Sequence, residues 1–149
     1  MLENVLYTAV ATSTGDGRNG HVVSADGQLD LDLAMPPEMG GSGQGANPEE
    51  LFAAGYAACF HSALRAVARR TGVDVAESTV TAYVAIGPAG DAFDLAVTLE
   101  SDLPHVAPEQ AREVVDAAHQ VCPYSRATRG NISVELRLTG PAAAAAQPA

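Results

Sequence analysis

The sequence has few basic residues and few cysteines, and both shortages limit what the chain can do. Only 8 residues are Lys or Arg against 18 that are Asp or Glu, so the formal net charge is -10. Binding to nucleic acid or to an anionic membrane surface depends on Lys and Arg, and this balance argues against both partners. The chain has 2 cysteines. In a reducing compartment such a pair is more often catalytic or metal-binding than a permanent disulfide.

The sequence also lacks a long apolar run. No stretch approaches about 18 uninterrupted apolar residues, so we expect no membrane-spanning segment. Residues 1–4 show no basic stretch followed by an apolar run, as a secretory signal would, and we expect a cytoplasmic protein. With 149 residues, of which 47% are hydrophobic, we expect one domain over residues 1–140 with a substantial core. The Ala/Pro-rich tail, residues 141–149, is predicted to be disordered.

Residue patterns predict six strands and two helices. The strands are expected at residues 4–13, 21–24, 28–34, 79–86, 93–100 and 131–138, and the helices at 48–70 and 108–121. Residues 36–46 are rich in Gly and Pro but lack the Lys and Ser/Thr of a P-loop, so a plain loop is predicted. The order βββ-α-ββ-α-β predicts an α+β fold, with antiparallel sheets packed around a central buried helix.

The first predicted helix has a strong start signal. Asn47 can cap the helix, Pro48 suits its first position, and the two following acids favour the positive end of the helix dipole. Asn47 and Glu50 fit a capping box, which leaves Glu49 as the freer carboxylate. The middle of the helix is apolar on almost every side and has to be covered on every side. Either sheets cover both faces or a second copy of the chain contributes.

Cys59 lies in the most apolar part of this helix, beyond the first turn where the helix dipole acts. Most free cysteines are small buried hydrophobes, and burial alone would raise the pKa of the thiol and make it unreactive. If Cys59 is a nucleophile, a cation has to reach it. Cys122, at the end of the second predicted helix, could condense with a sulfenic acid on Cys59 to form a disulfide. Arg18, in a glycine-rich turn, is by its position alone a solvated turn residue.

A zinc site is a competing use of the same cysteines. Cys59, His61, His119 and Cys122 supply two thiols and two imidazoles. Residues two apart on a helix point about 200° apart, so Cys59 and His61 cannot bind one ion without breaking the helix. His119 and Cys122 are three apart and could share a face. The spacing therefore disfavours zinc, and neither a metal nor another cofactor is predicted.

Two long motifs carry a family resemblance. They are residues 47–60 (NPEELFAAGYAACF) and residues 119–125 (HQVCPYS) followed by 127–131 (ATRGN), and residues 5–9 and the turn at Arg18 also match. Each long motif contains one of the two cysteines, and the match extends over about residues 3–139. In these motifs the sequence resembles the organic hydroperoxide resistance branch of the OsmC-like family. Glu50 and Arg126 depart from the family's usual Gln and Asn.

The resemblance implies a thiol peroxidase. In such an enzyme Cys59 would be peroxidatic and Cys122 resolving, and Arg18 and Glu49 would hold the thiolate and position the peroxide. The implied substrates are alkyl and fatty-acid hydroperoxides, and the implied reductant is a dihydrolipoyl group, as dihydrolipoamide or on a lipoylated protein. The implied assembly is an intertwined homodimer with its sites at the interface.

Two alternatives stay open at this point. Glu49 and Cys59 are ten residues apart, or about 15 Å along a straight helix. Arg18 and Glu49 would therefore reach Cys59 either from the partner chain or through a bend in the helix.

The chain could also be a binding module that holds a fatty acyl ligand in an apolar pocket, with inert cysteines and residues 36–46 as a flap.

Overall fold

The computed structural model of the chain describes residues 1–144, and residues 145–149 lie outside the described part. The chain forms two compact units, Met1–Leu51 and Phe52–Ala149. Each unit contains one three-stranded sheet. The α+β class that the sequence predicts is confirmed. The expected single domain over residues 1–140 stays a prediction.

The sheet of the first unit is an antiparallel meander. Its strands are β1 (Ala11–Thr14), β2 (His21–Ser24) and β3 (Asp30–Asp32), paired in chain order. The predicted β2 is confirmed, but β1 and β3 are shorter than predicted. Residues 4–10 lie before β1 and are exposed. A β-branched, apolar sequence favours a strand, but its backbone groups form a ladder only where a neighbouring strand is present to pair with them.

The predicted loop at residues 36–46 is confirmed, apart from one 3-10 turn at Pro37–Met39. Two backbone hydrogen bonds close its base. The amide of Ala34 donates to the carbonyl oxygen of Ala46 at 2.9 Å, and the amide of Ala46 donates to the carbonyl oxygen of Asp32 at 3.0 Å. The loop thus returns the chain to the end of β3 immediately before the long helix begins.

The long helix, α1, spans Pro48–Thr71 without interruption. As predicted, Asn47 caps it, because its Oδ1 accepts a hydrogen bond from the Glu50 amide at 2.8 Å. The buried residues of α1 are Tyr56, Phe60, Ala63, Leu64, Val67 and Ala68. A stripe at three- and four-residue spacing stays exposed: Ala54, Ala58, Ser62, Arg65 and Arg69. By length and composition alone α1 could cross a membrane, and 33% of its most apolar window is buried in the protein.

The sheet of the second unit contains β4 (Thr79–Ala89), β5 (Ala92–Asp102) and β6 (Ser133–Thr139). β4 and β5 form a hairpin that continues to the pair Ala89–Ala92, so its turn is shorter than predicted. β6 pairs with β5 in parallel, whereas the sequence predicts antiparallel sheets. The reason is the connection: helices lie between β5 and β6, and such a crossover allows the chain to re-enter the sheet in the same direction.

Two helices occupy that crossover. α2 spans Pro108–Val121, as predicted, and Pro123 follows its end. The chain does not then pass directly to a strand, because a short helix, α3, spans Pro123–Thr128. Six residues are too few to show a helical pattern in the sequence, so the prediction missed α3. The core of this unit combines the buried side of α1 with apolar residues of α2 and β5, namely Val97, Leu99, Ala111, Val114, Val115 and Ala118.

The sequence predicts a disordered tail over residues 141–149, and its described beginning is instead helical. A short helix, α4, spans Gly140–Ala144, and Ala142 is buried. Gly140 has a φ of 68°, which turns the chain out of β6, and alanine has the highest helix propensity. The remainder of the predicted tail, residues 145–149, lies outside the described residues.

Candidate active site

In the first unit, Arg18 and Glu49 form a bidentate ion pair. Arg18 lies in a 3-10 turn, Gly17–Asn19, between β1 and β2, and Glu49 lies in the first turn of α1. Arg18 Nη1 donates to Glu49 Oε2 at 2.9 Å, and Nη2 donates to Oε1 at 2.8 Å. The Glu49 side chain is 12% exposed and that of Arg18 is 38% exposed. The carboxylate is therefore shielded, while part of the guanidinium surface stays available to another group.

Glycines shape the turn that carries Arg18. Gly17 has a φ of 55°, in the left-handed region that glycine adopts without strain. Gly20 closes the turn, and a Cβ at that position would collide with the carbonyl oxygen of Thr14. The glycine-rich turn that the sequence predicts is thus present, and its tight geometry holds Arg18 in place for the ion pair.

The ion pair changes the titration of the Glu49 carboxyl. The hydrogen bonds from Arg18 lower the pKa of Glu49 below its ordinary value of 4.5, and partial burial opposes this. Because the folded-state pKa lies below the unfolded value, the pair contributes its full stability above the unfolded pKa. That contribution is lost as the pH falls through the folded-state pKa of Glu49.

We expect Glu49→Gln to lower the free energy of unfolding at about pH 7 by about 1 kcal/mol. The effect is small because the Arg18 side chain is 38% exposed and solvent screens the ion pair. The difference from the wild type should close as the pH falls through the folded-state pKa of Glu49, which lies below 4.5. Denaturant unfolding at neutral pH and over a series of acidic pH values measures it. Glu50→Gln is the matched control, since it removes an acid from the same helical turn and leaves the ion pair intact. A pH-independent difference would contradict the assignment.

In the second unit, the two cysteines lie side by side. Cys59 Sγ and Cys122 Sγ are 3.6 Å apart, and both are free thiols. Cys59 is partly exposed, whereas Cys122 is fully buried. A disulfide has an S–S length of about 2.05 Å, so the sulfurs have to approach by only about 1.5 Å to bond. The structure thus brings together the two thiols that the sequence suggests as a redox pair.

The fold fixes Cys122 through its backbone. Cys122 lies between α2 and α3, where Pro123 begins the second of these helices. Its amide donates to the carbonyl oxygen of Ala118 at 2.9 Å, and its own carbonyl oxygen accepts from the Arg126 amide at 3.0 Å. Proline has no amide hydrogen to donate and disfavours a helical conformation in the residue before it, so the bend between the helices falls at Cys122.

The surroundings of Cys59 do not by themselves favour a thiolate. Burial raises the pKa of the Cys59 thiol above its ordinary value of 9.0, and the adjacent Cys122 thiol adds to the rise. A backbone hydrogen bond with Tyr124 acts in the opposite direction. No guanidinium is among the described groups that shift this pKa. A cation is therefore still required if Cys59 is to ionise near neutral pH.

A buried polar network lies behind the cysteines, and the sequence prediction missed it. The Tyr56 hydroxyl hydrogen-bonds to Ser125 Oγ at 2.9 Å and to Thr128 Oγ1 at 3.2 Å. His119 Nδ1 also hydrogen-bonds to Ser125 Oγ, at 2.8 Å. The available signal was spacing, because Tyr56 lies three residues before Cys59, which places both on one face of α1.

The predicted zinc alternative finds no ligand cluster in the described part of the chain. Across residues 1–144, no three His, Cys, Asp or Glu side chains come together in a way that could hold a metal ion. His61, one of the proposed ligands, instead hydrogen-bonds through Nε2 to Ser78 Oγ at 3.0 Å. His119 is occupied by the network described above.

A groove of about 690 Å³ opens beside Cys59. Its lining is mainly apolar, with two guanidinium groups, and comprises Cys59, Ser62, Ala63, Ala66, Arg69, Arg70, Val121 and Pro123. Cys59 is partly exposed and lines this groove, so a small apolar molecule in the groove would reach it, whereas Cys122 is fully buried.

Comparison with known proteins places this arrangement in a family. The sequence profile of the OsmC-like protein family matches residues 41–137. An organic hydroperoxide resistance protein of Xanthomonas axonopodis pv. citri is 50% identical over 138 residues, covering 91% of this chain and 96% of its own length. The organic hydroperoxide resistance protein OhrB of Bacillus subtilis is 44% identical over 135 residues, covering 89% and 98%. The chain belongs to the organic hydroperoxide resistance branch of the OsmC-like family.

Solved structures of this family confirm the fold. An organic hydroperoxide resistance protein of Legionella pneumophila superimposes with a TM-score of 0.87 at 46% identity, covering 92% of this chain and 100% of the other. The resemblance predicted from the two cysteine motifs is thus confirmed, and the named relatives support a role in organic hydroperoxide defence. The family profile includes Glu49, Cys59 and Cys122, whereas Arg18 lies before its matched residues.

Proposed function

We propose that this OsmC-like protein is an organic hydroperoxide reductase that works through Cys59 and Cys122. The observation that carries the proposal is the 3.6 Å separation of the two sulfurs, one reachable from the surface and one buried. The proposed substrates are alkyl and fatty-acid hydroperoxides, which suit the apolar groove beside Cys59. The proposed role is defence against oxidative stress in the cytoplasm.

The chemistry has two steps. In the first, the Cys59 thiolate attacks the terminal oxygen of the hydroperoxide, the O–O bond breaks, and Cys59 becomes a sulfenic acid while the alkoxide takes up a proton to leave as an alcohol. In the second, the Cys122 thiol attacks the sulfenic sulfur, an S–S bond forms, and the oxygen leaves as water. The short sulfur–sulfur distance favours this closure over further oxidation of Cys59.

The first step needs a cation beside Cys59, and we assign that role to Arg18. Glu49 holds the guanidinium at both nitrogens, which fixes its orientation before a thiolate is present. Because α1 continues unbroken between Glu49 and Cys59, about 15 Å apart along its axis, the pair would serve Cys59 of the partner subunit in a homodimer. The exposed alanines of α1, Ala54 and Ala58, support such a dimer, since the apolar part of a helix surface needs cover.

Return to the dithiol form needs a reductant, and a dihydrolipoyl group is the proposed donor. A thiol can attack only the accessible sulfur of a Cys59–Cys122 disulfide, which is that of Cys59. The groove beside it is mostly apolar, which fits a small dithiol on an aliphatic arm. Its first thiol would form a mixed disulfide with Cys59 and release Cys122, and its second would release Cys59 and leave as a cyclic disulfide.

The test is a kinetic assay of the purified chain with dihydrolipoamide as reductant. We expect catalytic consumption of tert-butyl and fatty-acid hydroperoxides, with kcat/KM at least about 10-fold higher than for hydrogen peroxide, because apolar contacts in the groove favour an alkyl substituent. Absence of turnover with every hydroperoxide would contradict the proposed function. Turnover with thioredoxin but not with dihydrolipoamide would contradict only the proposed reductant.

A further inference from the structure

Two consecutive turns of α1 matter here: Gly55, on the first, is in contact with α3, and Cys59, on the second, carries the thiol proposed to react with peroxide. Gly55 and Cys59 are four residues apart and lie on one face of α1. Tyr124 of α3 lies over Gly55, and Cys122, immediately before α3, lies against Cys59. The way α3 packs on α1 therefore sets the distance between the two sulfurs.

The Tyr124 ring fills the space that a side chain at position 55 would need. A Cβ on Gly55 would lie 2.8 Å from Tyr124 Oη, 3.2 Å from Cε2 and 3.3 Å from Cζ. Carbon atoms in contact prefer about 3.5–4.0 Å, so the ring would have to move. Tyr124 is 38% exposed, but its movement is restricted on two sides, because the ring stacks on Phe52 at a centroid distance of 5.9 Å and packs against Tyr56 at 5.6 Å.

Other contacts join Tyr124 to the cysteines. Tyr56, which supports the Tyr124 ring, is fully buried and hydrogen-bonds to Ser125, the next residue of α3. The carbonyl oxygen of Tyr124 accepts from Thr128 Oγ1 at 2.9 Å, and the Tyr124 backbone lies close enough to Cys59 to lower the pKa of its thiol. A displacement of the ring would thus be transmitted to the start of α3, where Cys122 is held.

We propose that Gly55 is a positioning residue for disulfide formation, because its missing side chain lets Tyr124 hold Cys122 against Cys59. Glycine inside a helix is destabilising relative to alanine, and the close approach of Tyr124 gives a reason for its presence here. The inference rests on the proposed function, since it concerns the step in which the Cys122 thiol displaces water from the Cys59 sulfenic acid.

The first test is Gly55→Ala. After one equivalent of tert-butyl hydroperoxide, we expect the disulfide to form about 10-fold more slowly than in the wild type, since a misplacement of about 1 Å can slow a reaction by up to about 10²-fold. With excess peroxide, the fraction of Cys59 that becomes sulfinic acid should rise by a similar factor. Intact-mass spectrometry distinguishes the products, because the disulfide has lost two hydrogens and the sulfinic acid has gained two oxygens. A merely destabilising substitution would leave this partition unchanged.

The second test is a double-mutant cycle with Tyr124→Phe. This change removes Oη, the atom nearest to the added Cβ, and leaves ring carbons that need to move by only a few tenths of an ångström. We expect Gly55→Ala to slow closure by no more than about 3-fold in the Tyr124→Phe background. An equal effect of Gly55→Ala in both backgrounds would overturn the inference.

Diamide separates this inference from the proposed function. It takes two electrons and two protons from a pair of thiols, and so closes the Cys59–Cys122 disulfide without a peroxide. If the wild type closes with diamide but consumes no hydroperoxide, the proposed function fails, and the closure rates of the Gly55→Ala variant still test the inference. Equal closure rates in that variant and the wild type, with either oxidant, would overturn the inference alone.

Discussion

Replacing Cys59 with serine is expected to abolish hydroperoxide consumption, with a loss of at least about 10³-fold. The hydroxyl of serine is far less acidic than a thiol and cannot take up the peroxide oxygen as a sulfenic acid. The measurement is the loss of tert-butyl hydroperoxide in the presence of dihydrolipoamide. If the Cys59→Ser variant kept full activity, the assignment of Cys59 as the nucleophile would be wrong.

The matched control is Cys122→Ser, the same change of sulfur to oxygen at a distance of 3.6 Å. Here Cys59 is intact, so the variant should consume a first equivalent of peroxide at a rate close to that of the wild type. The sulfenic acid then has no buried thiol to condense with, and a second equivalent of peroxide should oxidise it to sulfinic acid. Unimpaired turnover without over-oxidation would show that Cys122 is not the resolving thiol.

The same pair of variants separates catalysis from the binding-module alternative. Burial raises the pKa of Cys59 in its own unit, which is what an inert thiol in an apolar pocket would show. If the cysteines were inert, neither Cys59→Ser nor Cys122→Ser would change how the protein behaves towards hydroperoxide. The contact between the two sulfurs favours the enzyme, because a binding pocket has no need of two adjacent thiols on different helices.

The features that the sequence predicted well are local. The start of α1 was predictable, because it follows from Asn47, which caps the helix, and from Pro48 at its first position. The bounds of α2 were predictable for a similar reason, since Pro108 begins it and Pro123 follows its end. A signal of this kind lies within a few residues of the feature it predicts and needs no knowledge of the rest of the fold.

The features that were missed depend on distant parts of the chain. The parallel pairing of β6 with β5 depends on the path of the crossover helices, which no pattern within β6 records. Within the site, the two cysteines were predictable as a pair but the distance between their sulfurs was not, because that distance depends on how Tyr124 packs over Gly55. The roles of Arg18 and Glu49 came from the family resemblance, and the bidentate ion pair expected from those roles is present in the structure.

A hybrid dimer tests whether Arg18 acts on its own chain or on the partner. Arg18→Ala is expected to lower peroxidase activity by about 10² to 10³-fold, because it removes the charge that stabilises the thiolate. Cys59→Ser removes the thiolate itself. The two variants, carrying different affinity tags, are co-expressed, and the dimer that retains both tags is purified. In that dimer one subunit has an intact Cys59 and the other has an intact Arg18.

If the Arg18–Glu49 pair serves Cys59 of the partner subunit, the hybrid contains one complete site and should recover about half of the wild-type activity. If the pair serves its own chain through a bend in α1, neither site is complete and the hybrid should be as inactive as its parents. A tagged dimer of wild type and Cys59→Ser has one complete site in both cases, and it controls for the tags and for assembly. An inactive hybrid beside a half-active control, or a fully active monomer, would therefore rule out action across the dimer interface.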